Sequence, residues 1–295
     1  MKKRKSSLSP MRATWGDYVI VGVLVAFALC ILVPFINALA ISFMTENEYI
    51  RNKLALFPSQ PTLEAYATIW RQGWLGLGFR NSLIIATGGW AVVLLLTILT
   101  AYVVTRSFPG KRWFLLFLII PMFFTGGLMP TYLQITKTLN LKDTYWAIIL
   151  PGSLSTYYVL IMSSFFHSIP ISLEESARLD GAGELRILCS VILPLSKSIL
   201  ATISLFVIVG YWNEWFAPML YLQKAKMLPL QLYLKNIVDT SKASADKGVV
   251  AQSQRVYAEA VRMAAVVLTM LPIMIIYPFL QKYFVKGVMI GAVKG

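Results

Sequence analysis

Six long stretches of this 295-residue chain contain no Asp, Glu, Lys or Arg. They are residues 18–45, 81–105, 113–136, 144–173, 198–213 and 263–281. Five of them reach the roughly 18 residues that a membrane-spanning helix requires. The exception is 198–213. It is followed by a single charged residue, Glu214, after which the apolar pattern continues to Leu222. With 14% charged residues, against about 25% in ordinary soluble domains, the chain cannot build a normal water-facing surface.

We therefore predict an all-α polytopic membrane protein, in which one transmembrane domain occupies residues 1–295. The six predicted spans are about 18–42, 81–105, 113–136, 145–167, 198–222 and 263–281. Several Pro and Gly residues interrupt them, and lipid cannot satisfy the backbone groups that such residues free. We expect these residues to face other helices, with packing favoured over a direct transport role. They are Pro121, Gly126, Gly127, Pro130, Pro151, Pro272 and Pro278.

Basic residues in the short loops predict the orientation of the chain. Five of them lie in the N-terminal tail and three follow the second span, whereas the loop after the third span has only Lys137 and Lys142. Both termini are therefore predicted to be cytoplasmic, with a cytoplasmic loop at 168–197 and an outer loop at 223–262. The net charge is +14, but its densest cluster, Lys2 to Lys5, directly precedes the first span. This placement indicates contact with membrane lipid and no nucleic acid.

The loop 168–197 has the pattern of two short helices joined by a turn. Ser172 and Glu175 have the spacing of a capping box, and Gly181 suits the left-handed conformation that closes a helix. Leu185, Leu188 and Ile192 form an apolar stripe beyond the turn. On physical grounds alone, an interfacial helix pair is the more frequent meaning of such a loop, and a docking site for a partner is the alternative.

The order of residues in this loop favours docking. Glu175-Ser176-Ala177, followed by Gly181 and by Val191 to Pro194, resembles the EAA loop of bacterial binding-protein-dependent ABC importers. The surrounding residues 179–182 and 192–196 are also similar to those of the MalG-like carbohydrate permeases, and 126–132 resembles the LplC and YtcP branch of that group. Asn81-Ser82, Trp212 to Trp215 and the tail 283–295 extend the resemblance. Ser176, Val191 and Ser198 depart from the usual pattern, at positions where Ala, Ile and Pro are common.

This resemblance implies the transmembrane domain of a type I ABC importer in the bacterial cytoplasmic membrane, carrying a sugar or oligosaccharide. Its implied partners are a second homologous permease, two ATP-binding subunits and an extracellular solute-binding protein. The loop would then be the coupling helix that docks on an ATPase subunit. The residues implied in coupling are Glu174, Glu175, Ala177, Asp180, Gly181, Leu193 and Pro194.

The sequence lacks the motifs of an enzyme. It has no G-x-x-x-x-G-K-[ST] phosphate loop, no H-E-x-x-H and no G-x-S-x-G. One histidine, His167, and two separated cysteines do not indicate a metal site, and no cofactor is predicted. A gradient-driven secondary transporter or channel is the alternative function, and a scaffold without substrate is a third. A carrier usually places several ionisable residues within its spans, and here only Glu214 does so.

The candidate translocation path lies in the fifth span, at Tyr211, Trp212, Asn213 and Glu214. Its aromatic rings could stack on sugars, although such residues more often serve packing. We expect Glu214 and Asn213 inside the bundle, with Glu214 either lining an outer gate or forming a structural hydrogen bond. Family counterparts of two other segments contact partners: the outer loop 223–262 the binding protein, and the tail 286–295 the ATPases. A solvated loop and a frayed end are the corresponding alternatives.

Overall fold

The computed structural model describes residues 15–71, 73–246, 259–276 and 278. Every regular element within these residues is helical, which confirms the all-α prediction. The tail 286–295, the N-terminal basic cluster, and the part of the outer loop from 247 to 258 lie outside them. The helices are α1 Trp15–Ser42, α2 Glu46–Arg51, α3 Glu64–Arg71, α4 Trp74–Thr105, α5 Lys111–Phe123, α6 Leu128–Leu133, α7 Trp146–Ile149, α8 Thr156–His167, α9 Ile171–Leu179, α10 Glu184–Ile187, α11 Leu193–Leu195, α12 Lys197–Asn213, α13 Phe216–Tyr221, α14 Leu230–Asp246 and α15 Glu259–Ile276.

Among the described residues, α1, α4 and α15 are each long and apolar enough to cross a membrane alone. Two bent pairs, α5 with the α6 segment and the α10 segment with α12, bring the number to as many as five if each pair is one span. The predicted count of six spans and the predicted orientation stay predictions.

Helix α4 is the central element of the bundle. It runs for 32 residues without a break and packs against α8, α12 and α14. The main buried cluster includes Val93 and Ala101 of α4, Val159 and Met162 of α8, and Ile203 of α12. Burial of an aliphatic side chain contributes about 1.5–3 kcal/mol, so this cluster fixes the three helices relative to one another.

The third predicted span, 113–136, is not one helix. Helix α5 ends at Phe123, and α6 begins at Leu128, continuing as a π-helical turn over Gln134–Thr138 at an angle of 110° to α5. Gly127 precedes α6 with a φ of +84°, in the region that favours glycine. The break therefore falls at the glycine pair that the sequence analysis singled out.

The fourth predicted span, 145–167, is not one continuous helix. Its regular part is α8, whose 12 residues span about 18 Å, well short of the roughly 30 Å of a hydrocarbon core. The short helix α7 precedes it, and Pro151 and Gly152 lie in the irregular connection. Proline cannot donate to a helical ladder and clashes with the preceding turn, which accounts for the interruption.

The fifth predicted span, 198–222, is also interrupted, because α12 ends at Asn213 and α13 begins at Phe216. Part of the outer loop predicted at 223–262 is regular structure. It contains a 3₁₀ turn at Ala225–Met227 and the helix α14. Residues 263–276 of the predicted sixth span, 263–281, belong to α15, and the rest of that span apart from residue 278 lies outside the described residues.

Candidate functional site

The first helix in the loop predicted for docking, residues 168–197 and called the docking loop below, is α9. Pro170 occupies the cap position and no side chain caps the helix start, so the predicted capping box of Ser172 and Glu175 is wrong. Ser172 already lies in the first turn. Proline has a fixed φ near the helical value and no backbone N–H, so it is suited to the start of a helix. Pro170 can therefore mark the start of α9 without a side-chain cap.

The end of α9 confirms the prediction for Gly181. Its φ is +78°, its N–H donates to the carbonyl of Arg178 at 2.9 Å, and the N–H of Ala182 donates to the carbonyl of Ala177 at 2.9 Å. This pair of bonds is the Schellman arrangement, in which a left-handed residue lets the chain satisfy the last helical carbonyls. The turn directs the chain from α9 into α10.

A cluster of charged and aromatic side chains joins the docking loop to the end of α4. We call it the anchor cluster, and its members are Tyr102, Arg106, Glu174, Arg178 and Glu184. Arg106 forms an ion pair with Glu174, and its guanidinium lies 4.1 Å from the centre of the Tyr102 ring. Arg178 Nη2 lies 2.9 Å from a Glu184 oxygen and 3.7 Å from Glu174. Glu174 is buried, so it faces its own chain and not a partner.

The Tyr102 hydroxyl donates a 2.6 Å hydrogen bond to the Glu184 carboxylate. This bond holds the pKa of Glu184 below its usual value, with help from Arg178 and Arg106 and against partial desolvation. Desolvation acts to lower the pKa of Arg106, but the hydrogen bonds and charges of Glu174 and Tyr102 together outweigh it, so the pKa of Arg106 is raised. Glu184 and Arg106 therefore both stay ionised at neutral pH.

The outward face of the docking loop is both apolar and charged. Leu179 is 90% exposed and Leu185 72% exposed, beside the exposed Glu175 and Asp180. Leu185 was expected to share a stripe with Leu188 and Ile192, but these two are buried in the main cluster and Leu185 is not. Ala177 and Leu193 also pack partly against that cluster, whereas Pro194 is exposed.

A cavity of about 430 Å³ lies among α4, α8, α12 and the connection between α7 and α8. Its wall is apolar and aromatic with few polar groups, as is common for small-molecule sites. Its lining residues are Val93, Ile148, Pro151, Gly152, Tyr158, Phe206, Val207, Gly210, Tyr211, Glu214 and Ala217. No group of three His, Cys, Asp or Glu side chains suited to a metal ion occurs in the described ranges.

Two of the four residues predicted for the translocation path line this cavity, Tyr211 and Glu214. The Tyr211 hydroxyl donates to the carbonyl of Ile149 at 3.1 Å. Trp212 is buried elsewhere, and its indole N–H donates to the carbonyl of Thr269 at 3.1 Å, which joins α12 to α15. Asn213 is exposed, contrary to the expectation that it lies inside the bundle, and accepts a 3.2 Å bond from Gln231.

Glu214 lies between α12 and α13. Its carboxylate accepts the N–H groups of Phe216 at 2.8 Å and Ala217 at 3.0 Å, the first two residues of α13. These N–H groups have no partner within the helix, so the carboxylate satisfies them and also meets the positive end of the helix dipole. Glu214 thus has a structural hydrogen-bonding role and lines the cavity as well.

A second set of polar contacts lies near the N-terminal end of α4, opposite the end that carries the anchor cluster. The Asn81 amide nitrogen donates to the carbonyls of Lys226 at 2.9 Å and Leu228 at 3.0 Å, and its oxygen accepts the Tyr145 hydroxyl at 2.9 Å. The Ser82 hydroxyl oxygen accepts the N–H of Leu230 at 2.9 Å. Asn81 and Ser82 are buried, so these bonds replace water and hold the segment 226–230 on α4.

Asp143 adds a further contact at the same end of the bundle. Its carboxylate accepts the N–H groups of Gln223 at 2.5 Å and Lys224 at 3.2 Å. The bond from Gln223 lowers the pKa of Asp143 below its usual value, and the second N–H and the nearby lysines act in the same direction. The sequence analysis did not identify this residue, whose partners lie about eighty residues along the chain.

The sequence is similar to that of a known protein family. Residues 98–290 match the sequence pattern of a family described as binding-protein-dependent transport system inner membrane component. The chain is 38% identical over 281 residues to the polygalacturonan/rhamnogalacturonan transport system permease protein YtcP of Bacillus subtilis (strain 168), which covers 95% of this chain and 98% of that protein. It is 38% identical over 265 residues to protein LplC of the same strain, covering 90% of each.

The fold also matches a solved structure. A chain in the crystal structure of a bacterial ABC transporter involved in the import of the acidic polysaccharide alginate superimposes with a TM-score of 0.82. The two sequences are 28% identical, and the match covers 92% of this chain and 99% of that one.

Proposed function

We propose a function that proceeds from one premise, namely that this chain belongs to the family of binding-protein-dependent transport system inner membrane components. It is a permease subunit of an ATP-driven sugar importer in the bacterial inner membrane. A second permease, ATPase subunits and a solute-binding protein complete such an importer. The chain is not an enzyme, since hydrolysis belongs to the ATPase partner. Likeness to relatives along nearly the full chain carries this conclusion.

For the cargo we propose an oligosaccharide. YtcP is named for polygalacturonan and rhamnogalacturonan, and the similar structure is that of an alginate importer. The 430 Å³ cavity has the size of a small-molecule site, and Tyr158, Phe206 and Tyr211 give it aromatic surface suited to sugar rings. Tyr211 and Glu214 are the residues of this chain that we assign to the path. Trp212 acts as a structural link between helices.

We assign the docking loop to the cytoplasmic side, where it contacts an ATPase subunit. Its outward face would supply the contact through Glu175, Asp180 and Pro194, with Leu179 as an apolar projection. Glu174 and Ala177 face inward, so their part in coupling is to hold α9 in place. In this arrangement, ATPase closure moves the two docking loops of the permease pair together and opens the cavity outward.

Reconstitution of the purified components tests this function. The isolated chain should hydrolyse no ATP, and the complex with its ATPases should accumulate a labelled oligosaccharide in proteoliposomes only with Mg-ATP inside and binding protein outside. A panel of neutral and uronic oligosaccharides would identify the cargo. Uptake driven by a proton or sodium gradient, without ATPase subunits, would instead establish the secondary transporter.

A further inference from the structure

Helix α4 carries a polar attachment near each of its ends. We propose that α4 transmits the nucleotide state of the ATPases from the docking loop to the outer segment 226–230, with Asn81 and Arg106 as the positioning residues. This inference rests on the proposed function, because it requires that ATPases bind the docking loop.

The outer attachment is close and fully bonded. Asn81 is 1% exposed, and both its amide nitrogen and its oxygen are hydrogen-bonded, the nitrogen to two carbonyls of the outer segment. A Cβ added to Gly78 would lie 3.2 Å from the Leu230 Cα, so α14 begins in direct contact with the α4 backbone. Residues 78, 81 and 82 share one face of the helix, since residues three and four apart are neighbours. The outer segment therefore cannot move without α4.

The inner attachment is electrostatic. Arg106 follows the last residue of α4, and its guanidinium reaches Glu174 of α9 and lies 3.4 Å from the Glu184 carboxylate. The side chain of Glu174 is 11% exposed and that of Arg106 is 24% exposed. Loss of one partner leaves the other charge partly desolvated without compensation. The docking loop is therefore held to the end of α4 by contacts that are costly to break.

Between these attachments α4 is continuous. Its 32 residues span about 48 Å at the helical rise of 1.5 Å per residue. The predicted third, fourth and fifth spans contain breaks, at which a displacement can be absorbed by changes in backbone angles. An unbroken helix offers no such hinge, so a shift of its inner end appears at its outer end. The two attachments thus connect the two surfaces assigned to different partners.

The test places a nitroxide label on the outer segment of the assembled importer in nanodiscs. Cys30 and Cys189, which are free and exposed, are replaced by Ser, and the label is attached through Lys226→Cys, whose native side chain is exposed. Mg-ATP with orthovanadate traps the ATPases in their closed state. We expect trapping to change the mobility of the label. Arg106→Gln and Asn81→Ala should each abolish that change while vanadate still traps nucleotide.

Two matched substitutions serve as controls. Thr87→Ala removes a hydroxyl that hydrogen-bonds to the carbonyls of Leu83 and Ile84 within α4, and Arg112→Gln removes an exposed charge near the inner end. Both should keep the change in mobility. Arg106→Lys, which restores a positive charge beside Glu174, should recover part of it. Loss of stability alone would lower the unfolding temperature and leave the response to trapping intact, so both quantities are measured.

If Arg106→Gln prevents assembly, Tyr102→Phe replaces it, because that change removes only the hydroxyl bonded to Glu184. A change in mobility that persists in the Asn81 and Arg106 variants overturns the inference, as does a wild-type complex in which trapping leaves the label unaffected. Failure of the chain to bind ATPases at all would refute the proposed function instead.

Discussion

Replacement of Gly89 by Ala tests how tightly α4 packs against α12. A Cβ built on Gly89 would lie 2.4 Å from Cε2 of Tyr211, 2.6 Å from Cδ2 and 2.7 Å from Cζ. The ring must therefore move by about 1 Å to restore ordinary contact, and overpacking of this kind costs roughly 1–3 kcal/mol. The displacement also breaks the bond from the Tyr211 hydroxyl to Ile149, at about 0.5–1.5 kcal/mol.

Gly88→Ala is the matched control for this prediction. Its Cβ would meet only the terminal Cδ1 of Ile149, at 3.3 Å, which a flexible side chain can accommodate. Both substitutions gain about 1 kcal/mol from helix propensity, so the gain cancels in the comparison. We expect Gly89→Ala to lower the free energy of unfolding by about 1.5–4.5 kcal/mol relative to Gly88→Ala.

The assay is the apparent unfolding temperature of the assembled complex in detergent, together with ATP-driven uptake. In a Tyr211→Ala background the ring is absent, so Gly89→Ala should become stabilising, as Gly88→Ala is. Such a reversal of sign is a coupling between two contacting residues. Equal effects of Gly89→Ala in both backgrounds would refute the predicted clash. Uptake should fall with Gly89→Ala because the displaced ring is part of the cavity wall.

Three further predictions concern the docking loop and Glu214. Gly181→Leu imposes a left-handed backbone on a branched residue, at about 1–2 kcal/mol, and should reduce ATPase co-purification and uptake, whereas Gly183→Ala should change neither. The lowered pKa of Glu184 contributes stability above its unfolded value near 4.3, which is lost as pH falls through the folded value. Tyr102→Phe brings the folded pKa of Glu184 closer to the unfolded one, so it should lower the unfolding temperature at neutral pH, make the acid-induced fall smaller and complete that fall at a higher pH. Glu214→Gln keeps the acceptor for Phe216 and should preserve assembly while altering sugar affinity, whereas Glu214→Ala should cost about 0.5–2 kcal/mol.

The elements that could be predicted from sequence are those set by local chemistry. Gly181 was correctly placed in a left-handed turn because glycine alone accepts that backbone without penalty. The break at Gly126-Gly127 follows from the same property. The family was identified from a motif that occupies one contiguous loop, and the match over 98–290 confirms it.

The contacts that the sequence could not reveal join distant segments. Asn81 bonds carbonyls 145 and 147 residues further along the chain, and backbone carbonyls carry no residue signature. Arg106 was counted only as one of the basic residues that follow the second span. Its pairing with Glu174 could not be predicted, because the two residues are 68 positions apart in the sequence. For Glu214 the sequence predicted either a gate or a structural hydrogen bond, but it did not identify the partners, the N–H groups of Phe216 and Ala217. Pro218 in the first turn of α13 is the signal that a helix begins there.

The anchor cluster also bears on the entropy of assembly. Fixing the backbone of one residue costs about 1–2 kcal/mol. If the loop folded only on binding its partner, the binding free energy would be weakened by that cost for every residue that became ordered. Helix α9 already has its Schellman turn, its buried Glu174 and its ion pairs within the free chain. The docking surface that we propose is thus preorganised, so the free-energy cost of binding an ATPase there is chiefly the loss of rigid-body freedom and not the folding of the loop.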